Sequence, residues 1–65
     1  MDNKKIGERL RALRGEASAN ETAKAVGVSV SALFMYERGE RVPRDETKIK
    51  IADYYGKTVE AIFYT

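Results

Sequence analysis

The chain is expected to fold as an all-α bundle of five short helices. Three observations point there: apolar residues fall at helical spacings such as the i, i+4 and i+7 of Ile6, Leu10 and Leu13, four of the five glycines fall between the helical patterns, and no stretch sustains strand-like alternation. At 65 residues, it has room for one domain, 1–65, and none for a second. A domain this small buries only about 60% of its unfolded surface, so every helix end and core position counts.

The first helix is expected from about Asn3 to Arg14, where Ile6, Leu10 and Leu13 form one apolar stripe and Gly15 ends the run. The second runs from about Ala19 to Val26. Ser18 and Glu21 have the spacing of a capping box, and Gly27 stops the helix in the left-handed conformation that costs glycine least. Ser29 offers the next N-cap, opening a third helix from Val30 to about Arg38 that ends at Gly39. The segment ERVPRD is a loop. Asp45 and Glu46 then place negative charge in the first turn of a fourth helix, with Ile51, Ala52 and Tyr55 inward and Gly56 at its end. Thr58 caps a last short helix whose Val59, Ile62 and Phe63 face inward.

Composition narrows the function. Without cysteine there is no disulfide frame or thiolate metal site, and without histidine the commonest general base and metal ligand is missing. No convergent carboxylate or lysine set replaces them, so an enzyme is not expected; Tyr36, Tyr54, Tyr55 and Tyr64 are assigned to packing. No metal or other cofactor is expected. No apolar run reaches the roughly 20 residues of a membrane span, and the charged start MDNKKIGERL has no secretory apolar core, which together suggest a cytoplasmic protein. Net charge is only +2, but the basic residues cluster. Lys4, Lys5, Arg9, Arg11 and Arg14 fall in residues 1–14, and Arg38, Arg41 and Arg44 in residues 38–44. Such clusters suit a polyanion or a solvated face equally.

Residues 19–38, ANETAKAVGVSVSALFMYER, form a unit. Small Ala23 sits where two helices must cross closely, and Gly27 follows four residues later at the turn. Val26, Val28, Leu33 and Tyr36 fall on the faces that join the helices. Helix, short turn and second helix make a helix-turn-helix, whose second helix fits a major groove about 12 Å wide. With Leu33 and Tyr36 inward, Val30, Ser31, Phe34 and Met35 point elsewhere. Two readings stay open. In one, Val30, Ala32 or Met35 packs on thymine methyls while Ser31 hydrogen-bonds a base. In the other, Val30 and Phe34 bury against a neighbouring helix or a second subunit.

IGERLRALR, the Ala23…Gly27 spacing and GVSVSAL, extended by YERGERVPRD, KIADYYG and TVEAIF, resemble the small phage-repressor helix-turn-helix family, the Cro-like, lambda-repressor-like and XRE-type group, over residues 6–63. The resemblance implies a compact five-helix, lambda-repressor-like fold. It also implies a sequence-specific double-stranded DNA-binding regulator, expected to be a repressor and a homodimer, bacterial or phage-encoded and nucleoid-associated. The alternative is a protein-interaction module that has lost specific DNA binding.

By position, the resemblance makes Val30, Ser31 and Met35 base contacts, and Ser29, Ala32 and Phe34 complete the candidate set on the same helix. Ser18, Ala19, Asn20, Arg38 and Arg41 are the candidate phosphate contacts. Arg14 and Glu37 match a structural ion pair, and Ile62, Phe63 and Tyr64 are either core or a dimer seam. The chain departs from its relatives at Ala19, where many have glutamine, and at Thr22, where leucine or valine is usual. Its connection between the first two helices is about two residues shorter. At Val30, glutamine or arginine commonly opens the recognition helix, and valine has no bidentate bond to offer a base.

Overall fold

A computed structural model describes residues 2–65. It contains α1 (Asn3–Arg14), α2 (Ala19–Val26), α3 (Val30–Glu37), α4 (Asp45–Tyr55) and α5 (Val59–Phe63), with no strand among the described residues. The helix ends follow their chemistry. Asp2 caps α1 by accepting from the Lys4 and Lys5 amides at 3.0 and 3.2 Å. Ser18, Ser29 and Thr58 cap α2, α3 and α5 through their hydroxyls. Gly27 and Gly56 close α2 and α4 in the left-handed region. The third helix stops at Glu37, one residue short of expectation, with Arg38 as its C-cap. Arg44 occupies the N-cap of α4 and makes no side-chain cap bond there; Asp45 and Glu46 complement that helix dipole instead.

Helix α1 packs on α3 and α5, α2 on α3 and α4, and α4 on α5. The core joins Ile6 and Leu10 of α1 with Val26, Tyr36, Ile51, Ala52, Ile62 and Phe63. Leu13, Val28, Tyr55 and Val59 are half-buried against it. The remaining glycine, Gly7, lies inside α1 where that helix meets the end of α3. A Cβ there would come 2.5 Å from the Glu37 carbonyl oxygen and 2.8 Å from the Gly39 nitrogen, so the two backbones touch only because neither has a side chain between them.

Two expectations need correction. Ile62 and Phe63 are 2% and 1% exposed, so they belong to the core and cannot form a dimer seam; only Tyr64 of that trio remains at the surface. The fourth helix also buries Lys48, which its inner stripe of Ile51, Ala52 and Tyr55 does not include. Among the described residues, no helix is long and apolar enough to cross a membrane.

Candidate nucleic-acid interface

The third helix is apolar on almost every side, so its orientation is set by which residues find the core. Leu33 and Tyr36 are buried at 3% and 6% exposure and anchor it. Ala32 is half-buried against the core cluster, so part of its methyl surface is used in packing. Two ridges remain. One runs Val30, Phe34, Glu37 at i, i+4 and i+7; the other runs Ser31, Met35, Arg38. Ser31 and Phe34 are exposed, whereas Val30 and Met35 are half-buried. At the N-cap, the Ser29 hydroxyl accepts from the Ala32 amide at 3.0 Å and keeps its own proton free to donate.

The first ridge ends in the expected ion pair. Arg14 Nε donates to Glu37 Oε2 at 2.7 Å and a terminal nitrogen donates to Oε1 at 3.0 Å, a two-point fork between side chains only 10% and 4% exposed. The remaining terminal nitrogen donates to the Ala17 carbonyl oxygen at 2.8 Å, and the guanidinium carbon lies 5.9 Å from the centre of the Phe34 ring. The hydrogen bonds to Glu37 hold the Arg14 guanidinium above its usual pKa, against the opposing effect of burial.

The start of α2 lies next along the chain from Ala17. Ser18 and Asn20 are exposed and Ala19 is half-buried. The Ser18 hydroxyl accepts from the Glu21 amide at 3.3 Å, half of the expected capping box. Beyond α3, Arg38 and Arg41 are exposed, but they differ. Arg38 forks onto Glu40 at 2.7 and 3.2 Å, and both side chains stand more than half exposed. That hydrogen bonding raises the Arg38 pKa and lowers that of Glu40. Two of the three guanidinium nitrogens of Arg38 are thus engaged by a carboxylate, a competition with any other anion that residue type alone does not reveal. Arg44 is exposed in the same loop and was counted in the sequence only as charge.

Two open clefts, of about 360 and 230 Å³, lie elsewhere; neither is lined by a residue of α2 or α3. Among the described residues, no cluster of three or more acidic side chains is placed to hold a metal ion.

A family model described as a helix-turn-helix domain matches residues 5–62. The chain belongs to that family. Its helix-turn-helix fold superposes on the P22 c2 repressor, solved in complex with a synthetic operator. The TM-score is 0.87 at 28% identity, over 91% of this chain and 92% of that one. The restriction-modification controller protein C.AhdI from Aeromonas hydrophila gives 0.85 at 30% identity, over 95% and 97%. The DNA-binding domain of BldD gives 0.75 at 26%, over 94% and 92%. No curated protein matches the sequence. The helix-turn-helix of this chain is thus of the phage-repressor-like kind, all-helical with five helices.

Proposed function

We propose that this chain is a transcriptional regulator, a repressor, that binds double-stranded DNA sequence-specifically by laying α3 in the major groove. The carrying observation is the anchoring of α3 by Leu33 and Tyr36, with Ser31 and Phe34 left at the surface beside the capped start of α2. The likeness to a repressor bound to an operator supports this reading.

The assignment gives each group a task. The α2 first-turn amides with Ser18, Ala19 and Asn20 take one phosphate, and Arg41 a second, with Arg38 joining once it leaves Glu40. Ser31 donates to or accepts from a base edge, and Ser29 can donate. Val30 and Met35 present apolar atoms to the groove. Two protomers, related by a two-fold axis with Tyr64 near their seam, read half-sites about one helical turn apart.

Fluorescence-anisotropy titration against a duplex over a range of salt tests this. Binding is expected to fall steeply with salt through counterion release, and Arg41→Ala to lower the slope by about one on every sequence. Salt-insensitive retention, or no retention on any duplex, overturns the assignment and favours docking of a partner protein on the apolar face of α3.

A further inference from the structure

Phe34 is a large apolar side chain at the surface, 36% exposed on a helix whose neighbouring positions are half-buried or polar. Its ring lies beside a cation that is itself held in place. Glu37 lies one turn further along the same face of α3, and the guanidinium that forks onto Glu37 also covers the Phe34 ring at 5.9 Å. The third donor of that guanidinium fixes Ala17, the residue before the α2 cap. One cation, 10% exposed in its side chain, therefore touches Glu37, the Phe34 ring and the residue before the α2 cap together.

An ordered ring in a major groove has one partner among the four bases that suits it. Thymine alone presents a methyl group there, on C5, and an apolar contact with that methyl is a base-specific interaction that needs no hydrogen bond. Phe34 has no polar atom with which to read anything else. This fits a helix whose first residue, Val30, also lacks a bidentate group.

We propose that Phe34 is a specificity-determining residue that reads the 5-methyl group of a thymine, and that Arg14 is the positioning residue that orients its ring. The proposal rests on the DNA-binding reading above. Arg14 touches no base in this arrangement; it acts through Phe34 and Glu37.

The test uses the whole chain and a duplex enriched from a random pool. Each thymine in turn is replaced by deoxyuridine, which removes the 5-methyl and nothing else. Wild type is expected to lose about four-fold in affinity at one thymine per half-site, the worth of one buried methyl-sized group. Phe34→Ala is expected to show no loss at that thymine while keeping the wild-type salt slope. Arg14→Lys keeps a cation beside Glu37 but lacks the planar fork, and is expected to bring the thymine-to-deoxyuridine ratio at that position close to one.

A role for Arg14 in stability alone would weaken binding to both duplexes equally and leave the ratio at its wild-type value, which overturns its positioning role. An unchanged ratio in Phe34→Ala, or no thymine that matters, overturns the whole proposal while leaving salt-dependent duplex binding intact. Loss of all duplex binding by wild type instead fails the DNA-binding reading itself. Because Arg14→Lys can also unfold the chain, the ring contact is checked independently in wild type. The Arg14 side-chain proton resonances are expected to carry a ring-current shift that disappears in Phe34→Leu, and a wild-type spectrum without that shift overturns the positioning role.

Discussion

Lys48 donates a 2.8 Å hydrogen bond to the Tyr64 hydroxyl while its ammonium lies 4.8 Å from the centre of the same ring and 5.6 Å from that of Phe63. The lysine is 7% exposed, and its one ion-pair partner, Asp45, is 3.8 Å away and almost fully in solvent. The last turn of the protein is thus tied to α4 by a buried cation that bonds the Tyr64 hydroxyl and lies near the Phe63 ring. Arg9 donates to the Ile62 carbonyl oxygen in the last turn of α5 at 2.9 Å and to the Thr65 main-chain oxygen beyond it at 2.6 Å. Tyr64→Phe keeps the ring and removes the hydroxyl. It is expected to lower unfolding free energy by about 1 kcal/mol in a urea titration. An unchanged midpoint would show that the ring contacts alone hold Lys48.

Thr22 is 1% exposed, and its hydroxyl oxygen has no hydrogen-bond partner. Valine has nearly the same shape and no polar atom to desolvate. Thr22→Val is expected to stabilise the domain by about 1 kcal/mol, read as a rise in the urea midpoint at constant slope. A destabilised variant would mean that the hydroxyl is satisfied in solution.

At Gly7 the chain tolerates no side chain. The atoms that a Cβ would strike, the Glu37 carbonyl oxygen and the Gly39 nitrogen, are backbone and cannot swing aside. Alanine is the better helix former by about 1 kcal/mol, yet the clash at 2.5 Å decides the sign. Gly7→Ala is expected to cost about 1–3 kcal/mol net by the same titration. It should also weaken duplex binding, because the C-terminal end of α3 has to shift. Unaltered stability would place α1 further from α3 than the structure does.

Arg38 and Glu40 yield a prediction in the opposite direction for binding. Their fork leaves Arg38 partly neutralised beside the proposed phosphate path. Glu40→Gln is expected to tighten binding to all duplexes at neutral pH and to steepen the salt dependence by about one. The pH effect has the same origin. The hydrogen bonds from Arg38 hold the Glu40 carboxyl below its usual range, so the pair persists at neutral pH and is lost only as pH falls through that lowered value. Duplex affinity at fixed salt should therefore gain more from acidification in wild type than in Glu40→Gln. Equal pH profiles would show that Arg38 does not meet phosphate.

The helices were legible in the sequence because their signals are local. Ser18, Gly27, Ser29, Gly56 and Thr58 each act within a few residues: α2, α3 and α5 start where the three hydroxyls put them, and α2 and α4 end at the two glycines. The anchoring of α3 by Leu33 and Tyr36 was equally plain, since spacing fixes a helix face. What escaped depends on contacts distant in sequence or on partners that compete. Lys48 reads as a surface charge until Phe63 and Tyr64 close over it. Gly7 reads as an odd glycine until α1 meets the end of α3. Ile62 and Phe63 stand open between core and dimer seam in the sequence because apolar residues of a short helix suit both alike, and only packing separates the two. Ala32 and Phe34 were placed together as base contacts; two residues further along the helix, the face turns by about half a circle, and only Phe34 stays outside.

On the reading proposed above, the outward positions of α3, exposed Ser31 and Phe34 with half-buried Val30 and Met35, choose the DNA sequence. The most direct measurement of that choice is enrichment of duplexes from a random pool by wild type, Ser31→Ala and Met35→Lys in parallel, with each variant first shown to be folded. A recurring two-fold-related site for wild type, altered at a few base pairs by each substitution, is the predicted result. The same enriched site for all three proteins, or no site for any, would contradict it.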